Sequence, residues 1–184
     1  FCAALYPFLA TPAKIRDRFD AEQGPGLDGW AYMDTARYHD PQGGVYDLKW
    51  DREAIQWLLD NVVGSPTILE GHAPEYRWGA RYSINTGLPT VLGWNWHQRQ
   101  QRAAADDQEV WERAHDIETI YNTLLPSTAQ ALLDQYHVRY IIAGPLEQIY
   151  YGPAGLDKFE QMAAEGQLQV AFSNEGVTIY ELPR

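Results

Sequence analysis

Ala54, Ile55, Leu58, Leu59 and Val62 recur at the spacing of one helical face, and the pattern stops at Gly64-Ser65-Pro66. The next apolar run, Thr67-Ile68-Leu69, is too short for a helix and reads as a buried strand. A helix running straight into a strand is the repeating unit of α/β sheets. The rest of the chain keeps to that plan. Asp51 is expected to cap the first helix, which runs to Val63, and the strand spans 67–71. A second strand is expected at 89–93, around Thr90-Val91-Leu92. Glu109 to Leu125 carries Val110, Ala114, Ile117, Tyr121 and Leu124 on one side, then breaks at Pro126-Ser127. Ser127 is expected to cap a further helix to about Tyr136. Val138 to Ala143 reads as a third strand, ended by Gly144-Pro145. A short helix from Gly155 to Glu165 precedes two β runs, 167–172 and 177–182, split by Ser173-Asn174-Glu175-Gly176 into a terminal hairpin. The expected fold is α/β: a three-layer mixed sheet of about five strands with flanking helices and a C-terminal β-hairpin.

Residues 1–46 show no clear period and are expected to be an irregular lead-in to an α/β core at 47–184, the whole forming one domain. Gly24-x-Gly26-x-x-Gly29 matches a dinucleotide fingerprint literally. It lacks a strand before it, has Pro25 inside, and reads as a glycine-rich turn. The chain opens at Phe1 with neither an initiator Met nor a signal peptide, and is expected to be a segment of a longer protein. It has no run of eighteen apolar residues of the kind that spans a bilayer. Cys2 is alone, so no internal disulfide or zinc cluster forms.

The net charge of −11 argues against nucleic acid or an anionic lipid surface, both of which need clustered Lys and Arg. Only Lys14, Lys49 and Lys158 are lysines among fourteen basic residues, so the cationic chemistry rests on Arg, the better bidentate and stacking group. Seven Trp and twelve Tyr give surplus aromatic area, suited to the core or to surfaces with one apolar and one wet side.

Ligands of open α/β sheets bind beyond the carboxyl ends of the strands. After the first strand come Glu70, His72, Glu75, Tyr76, Arg77 and Arg81; after the second come Trp94, Asn95, Trp96, His97, Gln98 and Arg99. Flat rings stack on the C–H faces of sugars while carboxylates, amides and Arg satisfy hydroxyls. The candidate substrate-binding set is therefore Glu70, His72, Tyr76, Arg81, Trp94, Trp96, His97 and Arg99. The same residues admit a second reading, a buried Glu70 paired with Arg81 or Arg99 that ties the two loops together. Glu70, His72 and His97, or Glu112 with His115, fall short of any metal signature, and no metal or cofactor is expected. Ser65, Ser83, Ser127 and Ser173 lack a nucleophile-elbow context. Glu70 and Glu75 are the one obvious carboxylate pair, with no separation fixed by sequence.

Three phrases, GSPTILEGHAPEYRWGARYSINTGLPTVLGWNWHQRQQR at 64–102, VRYIIAGPLEQIYYGPAGLDKF from Val138, and NEGVTIYELP from Asn174, resemble the extracytoplasmic C-terminal domain of the "YYY" family of polytopic membrane proteins, a family of unknown function. YPFLATPAKIRDRF and GLDGWAYM add to that likeness. The resemblance implies a membrane part similar to the GT-C glycosyltransferases, which use polyprenyl-phosphate sugars. In such proteins acidic catalytic residues lie on loops of the membrane part, and the soluble domain helps to recognise the acceptor. The order from Trp57-Leu58-x-x-Asn61 to Trp96 looks like the soluble domain of the oligosaccharyltransferase catalytic subunit. The WWDYG signature is absent, and Trp94-Asn95-Trp96-His97 stands as an analogue. The resemblance implies a domain at the extracytoplasmic face of the membrane, partnered by its own transmembrane part and by a glycan or lipid-linked sugar. It implies no catalysis by this segment alone. The alternative is a non-catalytic scaffold docking on the membrane part or an envelope partner.

Overall fold

A computed structural model describes residues 2–18, 26–102 and 107–183, with side chains from residue 5 onward. Gly24 and Pro25 of the glycine-rich turn and residues 103–106 lie outside the described residues. Among those described, the order is α1 (Cys2–Arg18), a 3-10 turn (Ala31–Asp34), β1 (Arg37–His39), β2 (Val45–Asp47), α2 (Lys49–Asn61), β3 (Thr67–Leu69), α3 (Arg81–Thr86), α4 (Asn95–Gln101), α5 (Gln108–Asn122), α6 (Pro126–Gln135), β4 (Val138–Ala143), α7 (Pro145–Tyr150), α8 (Pro153–Ala164), β5 (Gln169–Ser173) and β6 (Thr178–Glu181).

The main sheet has the order β3-β4-β6-β5. β3 runs parallel to β4, and β6 is antiparallel to both β4 and β5. The mixed α/β class with its terminal hairpin is as expected. The alternation of side chains along the strands builds two cores. Leu69, Ile141 and Tyr180 point to one face, packed with Val110, Ile117, Tyr121, Leu133 and Phe159 of α5, α6 and α8. Their neighbours Ile68, Tyr140, Ile142 and Ile179 point to the other, packed with Ala54, Ile55 and Leu58 of α2 and Tyr82 of α3. Helices on both faces make the three layers.

Four local expectations are corrected. Thr90-Val91-Leu92 is not a strand. Thr90 makes one parallel bridge to Ile68, and Pro89 O accepts the Ile68 N–H at 2.8 Å, so the main sheet has four strands rather than about five. Pro89 has no N–H to extend a ladder. Residues 1–46 are not uniformly irregular: they contain α1 and β1, and the β1–β2 hairpin runs on to Asp47 across the expected boundary. The helix was hidden because Leu5, Tyr6, Phe8, Leu9 and Ile15 are all exposed, so no one face is marked. Asp51 does not cap α2; the helix starts at Lys49, and Asp51 is buried in its first turn. Ser127 does not cap α6, whose first residue is Pro126, the favoured place for a proline without an N–H to lose.

α8 sits against the carboxyl end of α5. Lys158 of α8 is 2% exposed and donates to Gly155 O at 2.6 Å and Tyr121 O at 3.3 Å. Burial pushes its amine down from the usual 10.5 to about 8. Between those two values the folded chain holds fewer protons than the unfolded chain, so this amine makes stability rise with pH and gives that gain up below pH 8. Denaturant midpoints at pH 7.5 and 9.5 should show the wild type gaining stability relative to Lys158→Met across the interval. A constant difference between the two proteins would place the amine's titration elsewhere.

Candidate functional site

The carboxyl ends of β3 and β4, where the fold offers a crevice, are filled from within. Arg81 opens α3 and turns inward; its Nη1 and Nη2 grip Glu147 Oε1 and Oε2 at 3.1 and 2.9 Å. Its Nε lies 2.9 Å from Asp51 Oδ2, an ion pair without hydrogen-bond alignment. All three side chains are fully buried. Asp51 also accepts from Tyr82 Oη at 2.7 Å and Trp78 Nε1 at 3.3 Å. Glu147 accepts the N–H of Gly71 at 2.8 Å and, reaching back across the start of α7, the N–H of Gly144 at 2.9 Å. Burial works to raise the Glu147 carboxyl; the Arg81 guanidinium and the donated hydrogen bonds outweigh it and hold the group below the usual range. Gly71 is required here, since a Cβ would come within 2.8 Å of Glu147 Oε1.

Glu70 belongs to this plug. Its carboxylate accepts from the N–H groups of Tyr82 and Ser83 at 2.8 and 3.1 Å, taking the role of a cap for α3. Burial raises its carboxyl, against the hydrogen bonds from Ser83 and Tyr82. The backbone of His72 is clasped by Tyr151 Oη, which accepts from its N–H at 2.8 Å and donates to its carbonyl at 3.0 Å. The His72 Nε2 is buried with no partner among the described residues, and burial lowers its pKa against the pull of Glu118 and Glu75.

Outside the plug the two loops meet at the surface. Ala73, Pro74, Glu75, Tyr76, Arg77, Trp94, Asn95, Trp96 and His97 line an open pocket of about 90 Å³. Its wall at 73–77 hangs between the His72–Tyr151 clasp and Trp78, whose N–H donates to Tyr38 Oη at 3.1 Å. Tyr76 and Ala80 hold φ of 62° and 57°, left-handed values that non-glycine residues reach at a cost of about 1 kcal/mol. Trp94 donates its Nε1–H to Gly79 O at 2.9 Å, which fixes the second loop onto the first. The His97 ring stands edge-on to Trp94, with centroids 5.0 Å apart. Tyr76, Trp94 and Trp96 are 88%, 47% and 38% exposed.

The eight sequence-predicted residues therefore divide. Tyr76, Trp94, Trp96 and His97 come together around the pocket. Glu70 and Arg81 are buried, at 0% and 1% exposure, and face inward. The expected Glu70 pairing with Arg81 or Arg99 is replaced: Arg81 takes Glu147 and Asp51, Glu70 takes backbone N–H groups, and Arg99 Nε takes Asp107 at 2.9 Å. His72 is half-buried and is not part of the pocket lining. Arg99 lies beside it, its guanidinium 5.6 Å from the Trp96 ring and 4.5 Å from that of Trp111. The structure adds Asp51, Glu147 and Trp111, and places Arg77, named with the first loop, in the pocket wall. Glu147 carried a legible signal, a Glu three residues after the glycine that starts a helix at Gly144-Pro145. Trp111 carried another, an aromatic on the polar side of the α5 stripe. Among the described residues, no group of three or more His, Cys, Asp or Glu is placed to hold a metal ion, and no helix is long and apolar enough to cross a membrane.

No protein-family model matches the chain, and no curated protein matches it. Among solved structures it is similar to the C-terminal globular domain of an oligosaccharyltransferase from Archaeoglobus fulgidus, at 13% identity and a TM-score of 0.46, over 72% of this chain and 96% of that one.

Proposed function

We propose that this chain is a glycan- or acceptor-recognition domain, the extracytoplasmic part of a GT-C-like membrane glycosyltransferase of the YYY type. The observation that carries the reading is the solvent-open aromatic pocket between residues 73–77 and 94–97. Rings that the sequence could have spent on the core are instead left at the surface, and Trp94 is held there by its Nε1–H bond to Gly79 O. That arrangement offers a flat apolar face beside Asn95, His97 and Glu75, which can answer hydroxyls. The wording of 64–102 supports the family assignment, and the tether to a membrane part follows from it. The plug at Arg81 keeps Glu70, Asp51 and Glu147 from a substrate, so the domain binds and the chemistry belongs to the membrane part.

The test is a calorimetric or NMR titration with short glycans and polyprenyl-phosphate-sugar headgroups. Shifts confined to residues 72–77 and 94–99 are the expected result. Trp96→Ala should abolish binding while changing stability by no more than about 1 kcal/mol, well under the ~3–5 kcal/mol that truncation of a buried aromatic costs. A stability loss of the larger size would make Trp96 a packing residue and sink the reading.

The exposed Leu5, Tyr6, Phe8 and Leu9 of α1 favour a second reading, in which the chain is a scaffold docked through apolar contacts. An intact fold that binds no member of the panel would select it.

A further inference from the structure

The pocket is too small to swallow a sugar ring: about 90 Å³ compares with roughly 300–1,000 Å³ for sites that enclose small molecules. A ligand there lies along the surface. Each contact is then a shallow stack, and useful affinity needs several of them on surfaces already held in place. The structure supplies the continuation. Beyond Trp96 the guanidinium of Arg99 lies over both Trp96 and Trp111, so one planar cation bridges two indoles from different helices. Its Nε is fixed by Asp107 at 2.9 Å, which sets the plane of the fork. Trp111 is 46% exposed although it lies in α5, whose other large apolar residues Ile117, Ile120 and Tyr121 are buried. Tyr76, Trp94 and Trp96 thus line the pocket, and Arg99 links Trp96 to the exposed Trp111 of α5, so the aromatic surface continues from the pocket onto α5.

We infer that this surface is an extended binding track for an oligosaccharide, with Trp111 as a distal stacking subsite and Arg99 as the positioning residue that aligns it with Trp96. The inference rests on the glycan reading above and adds to it the class of ligand, a linear chain of several sugars rather than a single residue. The chain's net charge of −11 and its scarcity of Lys disfavour the other long flat ligand, a single-stranded nucleic acid, whose backbone needs a basic groove.

The test is a length ladder. Glucose, α-1,4- and β-1,4-linked glucose oligomers and β-1,4-linked N-acetylglucosamine oligomers, from two to six units, are titrated calorimetrically into the wild type, Trp111→Ala, Arg99→Lys and Trp96→Ala. Affinity for at least one series should climb tenfold or more from the dimer to the longest member. Trp111→Ala should erase that climb and leave dimer affinity within twofold. Arg99→Lys, which keeps the charge and loses the plane, should cut the climb at least threefold. Trp96→Ala should remove binding at every length. Dimers that bind as tightly as hexamers, or a climb that Trp111→Ala leaves intact, would overturn the track while leaving glycan recognition standing. Absence of binding by all series in a folded wild type would overturn both.

Discussion

Arg81→Met should lower folding stability by about 3–5 kcal/mol, the cost of leaving buried carboxylates without their cation. Asp51 and Glu147 are both fully buried and share this one guanidinium. Methionine fills similar space and supplies none of the donors. The remaining contacts, Tyr82 Oη and Trp78 Nε1 on Asp51 and two N–H groups on Glu147, do not neutralise two charges. Denaturant unfolding at pH 7 reads the loss. Arg81→Lys should recover only part of it, since a point charge cannot match the bidentate geometry. The acid limb carries a second signature. Because the Glu147 carboxyl is held below its ordinary 4.5, its contribution is complete above that value and drains away as pH falls through the folded value. Glu70 works in the opposite sense: its raised carboxyl favours the folded state below the ordinary value and gives that up as pH rises through the folded one. In Arg81→Met the Glu147 drain should vanish from the acid limb. An unchanged acid profile would show that the guanidinium does not govern Glu147.

Gly155→Ala should destabilise by about 3 kcal/mol, the upper end of what overpacking costs. A Cβ at Gly155 would sit 2.1 Å from Tyr121 O and 2.8 Å from Asn122 Cα. Both obstacles are backbone, so no rotamer change relieves them. α8 would have to lift from the end of α5, taking Phe159 and Met162 out of the core and breaking the Lys158 bond to Tyr121 O. Hydrogen exchange should show amides of α8 losing protection while those of β4 keep theirs. A neutral substitution would mean that the two helices do not approach as closely as described.

The elements with a period were legible in the sequence. α2, α5 and β4 lie close to where their apolar stripes and breakers put them, because burial on one face writes itself into spacing. Thr90-Val91-Leu92 has strand composition and no ladder partner beyond one bridge, and pairing is a tertiary property that composition does not encode. Of the candidate site, the surface half was legible as a cluster: Tyr76, Trp94, Trp96 and His97 line one pocket, although the run before Trp94 is not a strand. Its buried half was not. Arg81 reaches Glu147 across sixty-six residues and Asp51 across thirty, and an isolated Arg says nothing about which carboxylate the fold will bring to it. Asp51 was mistaken for a cap because a helix start and a buried anchor both favour a short acidic residue.

The bulge in β5 has a consequence for how copies of this chain meet. β5 is the outermost strand of the sheet, with Val170 exposed, and its pairing with β6 shifts register between Val170 and Phe172. The outward N–H and C=O groups on either side of that shift fall out of step with the regular repeat another strand would present. A neighbour docking there could zip along one half of the edge only. The sheet thus ends in a blunted template, and crowding should bring copies side by side without fusing their sheets.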